Sequence, residues 1–189
     1  AEVEATLAAA DAAYRDWGRN SSPAERAEAL RAVARLHRER RDELALAICD
    51  EAGKPLSDAL AEVDRAIFCF ELASAEAQRA AAEGQLLPMD LRAVGAGRLG
   101  LLRRVPIGPV AAISPFNFPL NLSVHKVAPA LAVGCPVILK PASQTPTPTL
   151  RLAEIIAETA WPKGALSVVP AGRAVAEVTR ATMLSPCRA

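Results

Sequence analysis

Three short apolar runs, Val110-Ala111-Ala112-Ile113, Val137-Ile138-Leu139 and Leu166-Ser167-Val168-Val169, alternate with two stretches of helical spacing, Leu120 to Val133 and Pro146 to Ala160. Strands that lack polar alternation are buried on both faces, as in parallel sheets covered by helices. The order βαβαβ therefore predicts an α/β domain with a doubly wound, Rossmann-like parallel sheet. Such sheets bind ligands at the carboxyl ends of their strands. That rule singles out the segments that follow Ile113 and Leu139.

The first 84 residues have a different rhythm and read as three helices. The first runs from about Val3 to Trp17 and stops at Gly18-Arg19-Asn20. Ser22-Pro23-Ala24-Glu25 opens the second as a capping box with proline at the first helical position. Leu30, Val33, Leu36, Leu44 and Ile48 carry that helix on, and Gly53 ends it. The third starts near Pro55, with Leu56, Leu60, Val63, Ile67 and Phe70 spaced as an a/d stripe. A free coiled coil fits the stripe too, but it spans little more than two heptads, which favours packing inside a domain. Leu86 to Val94 and Leu99 to Val105 read as two strands joined at Gly95-Ala96-Gly97.

Charge and residue usage exclude several function classes. A formal charge of +1 gives no electrostatic reason to expect nucleic acid or an anionic membrane as partner. The apolar runs are far shorter than the roughly 20 residues that span a bilayer, and no export signal is visible. Cys49, Cys69, Cys135 and Cys187 form no C-x-x-C pair and have no histidine neighbours, so neither a metal site nor a disulfide framework is expected. Cys49 and Cys69 fall in helical patterns and read as buried small hydrophobes. The cytoplasm is the expected compartment. With only two histidines, His37 and His125, histidine-centred catalysis or metal binding is not expected.

Gly95-Ala96-Gly97-Arg98-Leu99-Gly100 matches the dinucleotide pattern G-x-G-x-x-G, which works only where it opens a helix. Here a strand-like run and Pro106 follow, so the glycines read as a hairpin turn. A more informative stretch is Ser114-Pro115-Phe116-Asn117-Phe118-Pro119, where two prolines stiffen a loop at the top of a buried strand. Such a loop can hold the Asn117 amide in a fixed direction, although asparagine is also a favoured helix cap. Lys140 ends the second strand, where a cation faces any nucleotide lying across the sheet edge. A surface lysine is otherwise simply solvated.

These residues resemble the aldehyde dehydrogenase superfamily. The P-F/W-N-F-P loop matches 115–119, the K-x-x-P-A-L-A-x-G helix 126–134 and the K-P-x-x-Q-T-P turn 140–146. Upstream, Glu51-Ala52-Gly53-Lys54-Pro55 resembles E-x-G-K-P, followed by Glu62-Val63. Downstream, Pro162 to Val169 resembles P-x-G-x-x-N-V-V. The resemblance runs from the first helix to about Val169. It implies an aldehyde dehydrogenase-like fold, with helices and a partial Rossmann-like sheet that bind NAD or NADP. It also implies an oligomerisation hairpin at 85–105, hence a homodimer or homotetramer. The division implied is a helical part at 1–84, the hairpin, and a partial NAD(P)-binding domain at 106–189.

In this family a cysteine attacks the aldehyde, hydride passes to NAD(P)+, and water activated by a glutamate hydrolyses the thioester. The resemblance makes Asn117 the donor to the oxyanion. It places Ile113, Ser114, Pro115 and Phe116 along the nicotinamide side of the cofactor and Lys140 at the adenosine ribose. NAD-specific members often carry glutamate three residues after that lysine. Ser143 stands there instead, so NADP is expected to be accepted or preferred. Lys126 reads as structural and His125 as ordinary packing.

After Val169 the match fades. Gly172 is a weak counterpart of a glycine beside the cofactor. Cys187 has neither the flanking residues nor the spacing of the family's nucleophile, and no base glutamate precedes it. The chain therefore reads as an enzyme fragment that does not itself oxidise aldehydes, and half a sheet is expected to leave an apolar edge open. The alternatives are a relative with acylating or reductive chemistry, or a non-catalytic interaction module that uses the hairpin and the a/d helix.

Overall fold

The computed structural model describes residues 2–170. Gly172 and Cys187 lie outside the described residues. Six helices and five strands follow one another as α1 (Glu2–Ala13), α2 (Pro23–Glu39), α3 (Arg41–Ala52), α4 (Leu56–Ala82), β1 (Gly84–Pro88), β2 (Leu99–Arg103), β3 (Val110–Ile113), α5 (Asn121–Ala132), β4 (Val137–Lys140), α6 (Thr147–Ala157) and β5 (Leu166–Val168). One π turn, Tyr14–Gly18, extends α1, and a 3-10 turn at Ala93–Gly95 lies in the hairpin loop. No helix among the described residues is long and apolar enough to cross a membrane.

The βαβαβ order predicted from apolar rhythm is present. Strands β3, β4 and β5 are neighbours in one parallel sheet, with Val110 opposite Val137 and Val137 opposite Leu166. Crossover helices α5 and α6 pack on it, and α2, α3 and α4 form a further helical layer over them. The core runs through these layers, from Leu30 and Val33 of α2 through Phe70 of α4 and Leu131 of α5 to Leu139 of β4. Only β4 is covered along most of its length. In β3, Ile113 is 60% exposed, and β5 is half-buried throughout.

The capping box at Ser22 is formed. Its hydroxyl accepts the Glu25 amide at 3.2 Å, and its own N–H donates to the Glu25 carboxylate at 2.7 Å. The hydrogen bonds with Ser22 hold the Glu25 carboxyl below the usual carboxylate range. Ser22→Ala is expected to destabilise the chain by about 1 kcal/mol, with a Tm lower by roughly 2–4 °C in a thermal melt.

Two helical details differ from the sequence reading. The single helix expected between Pro23 and Gly53 is two, broken at Arg40, where φ is −105° and ψ is 20°. No glycine or proline marks the break. At the break Arg40 forks onto Glu158 at the end of α6, and Arg41 onto Asp64 of α4, so distant partners meet the chain where it turns. In α4, Val63, Ile67 and Phe70 are buried as the stripe predicts, but Leu56 is 51% exposed. Ala59, Ala66, Ala73 and Ala77 bury the rest of that face, which packs inside the domain against α2 and α5. Cys135 is buried, whereas Cys49 and Cys69 are half-buried rather than enclosed.

The hairpin is shorter than expected. Gly84 pairs with Arg103 and Pro88 with Leu99, and residues 89–98 form the loop. Gly97 adopts φ 75° in that loop, and the run after it is β2, not a helix, so the glycine pattern is a turn as read. A second glycine constraint pins α1 to the sheet. A Cβ on Gly134 (φ 86°) would lie 2.4 Å from the Gly18 carbonyl oxygen, and one on Gly18 would lie 2.3 Å from that of Gly134.

Candidate functional site

The carboxyl ends of β3 and β4 lie side by side. Ile113 is the register partner of Lys140, and the Ser114 amide donates to the Lys140 carbonyl at 3.1 Å, extending the ladder one residue into the loop. That single register brings the Ser114–Pro119 loop and the Lys140–Pro146 turn to one edge of the sheet. Six of the seven residues singled out from the sequence are thereby collected at two adjacent strand ends. The seventh, Ser143, stands exposed in the turn that follows Lys140.

Their exposure divides them. Ile113 and Phe116 are 60% and 58% exposed, and Pro115 is exposed beside them. Ser114 is buried to 3% exposure, and its hydroxyl has no hydrogen-bond partner among the described residues. A buried, unsatisfied hydroxyl costs free energy and calls for a polar group to meet it. The hydroxyl of Thr145, in the turn after Lys140, is buried and unpartnered in the same way. Lys140 is half-buried, and its ammonium donates to the Pro141 carbonyl at 3.1 Å.

Asn117 is exposed, and its side chain makes no hydrogen bond among the described residues. The reading of Asn117 as a helix cap is not realised. No side chain near in sequence caps α5, and its leading amides go elsewhere. Leu120 N and Asn121 N donate to the Glu62 carboxylate of α4 at 3.0 and 3.1 Å. Helix α6 is capped in the same manner by Glu51 of α3, which accepts Thr147 N at 2.8 Å and the Thr147 hydroxyl at 2.5 Å. Two carboxylates of the E-x-G-K-P region and the following helix thus neutralise the partial positive charge of two helix N-termini at the site.

Sequence reasoning missed both caps. Glu51 and Glu62 were visible only as motif residues, because capping patterns look three residues away and these partners are 96 and 58 residues distant. Lys126 donates to the Leu122 carbonyl at 3.1 Å. His125 is exposed on α5 rather than packed.

Behind the loop, anchoring is dense. The Pro119 carbonyl accepts the Ser123 hydroxyl at 2.6 Å and that of Thr149 at 3.2 Å, and the Phe118 carbonyl accepts Leu122 N. The Lys54 ammonium lies 3.6 Å from the Phe118 ring centroid and 2.6 Å from the second Glu62 oxygen. The loop therefore has a fastened base and an exposed tip that carries Asn117. Such an arrangement can present an amide to a reacting group while apolar side chains cover a flat ring.

A family model described as the aldehyde dehydrogenase family matches residues 1–183. A 3-sulfolactaldehyde dehydrogenase of Priestia aryabhattai is 42% identical over 148 residues, which is 78% of this chain and 31% of that protein. Aldehyde dehydrogenase 21 from Physcomitrella patens, solved in complex with the reaction product succinate, superposes with a TM-score of 0.89 at 41% identity, over 94% of this chain and 36% of that one. An NADP-dependent enzyme of E. coli superposes with a TM-score of 0.85 at 37% identity, over 91% and 34%. The chain spans about a third of the length of the relatives it matches. With a matching α/β architecture and motifs in register along almost its whole length, the chain belongs to the aldehyde dehydrogenase family.

Proposed function

We propose that this chain supplies the cofactor-binding and oxyanion-stabilising part of an NAD(P)-dependent aldehyde dehydrogenase that oxidises an aldehyde to a carboxylic acid. The observation that carries the reading is the strand-end edge where Ser114 keeps a buried, unsatisfied hydroxyl beside Lys140, with Asn117 left uncommitted above it. These residues fit a dinucleotide. Ile113, Pro115 and Phe116 offer exposed apolar surface to the nicotinamide side, Ser114 has an unused polar atom, and Lys140 and Ser143 stand where a ribose and its substituent are held. The bound NAD(P)+ supplies the hydride acceptor.

Asn117 donates its side-chain N–H to the oxygen that gains negative charge when a cysteine adds to the aldehyde. A positioned donor of this kind is worth on the order of 3 kcal/mol. The nucleophilic cysteine and the base glutamate come from elsewhere in the parent enzyme, and this chain alone does not turn over aldehyde. Residues 1–84 act as the helical part of the cofactor domain, 85–105 as an oligomerisation hairpin and 106–189 as a partial NAD(P)-binding domain. Exposure of Leu86, Leu99, Leu101 and Leu102 on the hairpin supports self-association into a homodimer or homotetramer of the parent.

Titration of the chain with NADPH and with NADH, followed by the fluorescence of the reduced nicotinamide, tests the reading. Both bind, NADPH at least as tightly. Ser143→Glu places a carboxylate where a 2′-phosphate would lie and is expected to weaken NADPH by about tenfold or more while sparing NADH. Lys140→Ala weakens both. No binding of either cofactor by the folded chain, or an unchanged NADPH-to-NADH ratio in Ser143→Glu, would sink the respective claim.

A further inference from the structure

The Lys54–Glu62 pair lies behind the loop and touches nothing that reacts, yet its geometry reaches Asn117. We propose that Lys54 and Glu62 are positioning residues that hold the Asn117 amide in a fixed direction through Phe118, an inference that rests on the oxyanion reading of Asn117.

Glu62 is fully buried, and each of its carboxylate oxygens has a distinct task. One accepts Leu120 N and Asn121 N at 3.0 and 3.1 Å, which fixes where α5 begins, and the other accepts the Lys54 ammonium at 2.6 Å. The same ammonium stands 3.6 Å from the centroid of the Phe118 ring. The Arg65 guanidinium, one helical turn after Glu62, lies 5.3 Å from that ring. A cation over an aromatic face restricts the ring, and a partly desolvated cation does so more strongly. Lys54 is 17% exposed at the side chain. Phe118 is therefore fastened by its ring to Lys54 and by its carbonyl to Leu122 N. Asn117 is its immediate neighbour and has no hydrogen bond of its own among the described residues to set its direction.

A cap buried this deeply needs the carboxylate, the two amides and a counter-charge, which Lys54 supplies. The stack of that lysine on the Phe118 ring adds nothing to capping. It adds a rigid path from the start of α4 to the residue before the loop's closing proline. Oxyanion donors act through pre-set geometry, so fixing the neighbour of the donor is a physical means of setting it. The proline on each side of Phe116-Asn117-Phe118 narrows the backbone, and the lysine–ring contact selects among what remains.

The test is 15N relaxation of the Phe116–Phe118 backbone amides and of the Asn117 side-chain NH2 in the folded 189-residue chain. Lys54→Met keeps the stem and removes the cation. It is expected to bring order parameters in the loop from the rigid range near 0.85 to below about 0.6, with Leu120 and Asn121 amide protection retained. Lys54→Arg, which restores a cation, returns the loop to the rigid range. Glu62→Gln, which keeps the shape but weakens the hold on Lys54, gives an intermediate loss. Loop order parameters in Lys54→Met indistinguishable from wild type, or no restoration by Lys54→Arg, would overturn the proposal. Titration with NADPH is run on the same samples. Failure of wild-type chain to bind it counts against the enzymatic reading, whereas an unchanged loop counts against the positioning role, so the two are separable.

Discussion

Phe70→Ala is expected to destabilise the chain by about 3–5 kcal/mol, enough to lower Tm by on the order of 10 °C. Phe70 is fully buried on α4, clustered with Leu30 and Val33 of α2, and its ring lies 5.1 Å from that of His37. Removing it deletes an aromatic volume where rigid helices meet on several sides, so the cavity has little freedom to collapse. Exposed Phe68, two residues earlier on the same helix and 63% accessible, provides the control. Phe68→Ala should leave stability within about 0.5 kcal/mol of wild type. Chemical denaturation of both variants measures the difference. Equal midpoints would show that α4 does not pack against α2 as described.

Acidification is expected to remove a comparable amount. Burial pushes the His37 imidazole down from its ordinary 6.5 to about 4, against the raising effect of its hydrogen bond to Val33 and with a smaller lowering from Arg40. His37 is fully buried, with Nδ1 2.9 Å from the Val33 carbonyl and Nε2 without a partner among the described residues. The Nδ1 proton makes that bond, so the neutral tautomer leaves Nε2 as a bare acceptor. A second proton would put an unpaired charge beside Phe70. The folded state therefore binds fewer protons than the unfolded chain between pH 6.5 and about 4. Stability is fully present above pH 6.5 and is lost as the pH falls to about 4, by about 3 kcal/mol in all.

Carboxylates contribute in the lower part of that window. Asp64 and Glu158, for example, are held below their usual range by Arg41 and Arg40. They are mostly exposed, and screening keeps their share small. His37→Gln separates the two sources, because it retains the carboxylates but has nothing to protonate. Guanidinium melts from pH 7.5 to 4.5 should show a steep loss in wild type and a shallow one in His37→Gln. Parallel curves would rule out His37 as the acid-sensitive group.

Much of the candidate site was legible because its parts are local. A proline on either side of Phe116-Asn117-Phe118 and a lysine at a strand end are features of a few consecutive residues, and the parallel register set them side by side. The a/d stripe of α4 was half legible. Hydrophobic spacing found Val63, Ile67 and Phe70, but alanines fill the remaining buried positions, and alanine carries little signal of burial in a helix where it is also favoured outside. The hairpin was legible as a hairpin and not in its extent, since apolar residues 91 and 94 sit in an exposed loop, where no buried face sets the register.

From sequence alone came the order βαβαβ, the strand ends, the capping box at Ser22 and the turn role of Gly97, all properties of periodicity and backbone sterics within a handful of residues. The tertiary structure alone decided the break at Arg40, the caps of α5 and α6, and the neutral His37. Each depends on a partner or an enclosure brought close by folding: Glu158 lies 118 residues from Arg40, Glu62 lies 58 from Leu120, and Glu51 lies 96 from Thr147. Hydrogen bonds and burial act over a few ångströms of space, and no local pattern records which residues that space will contain.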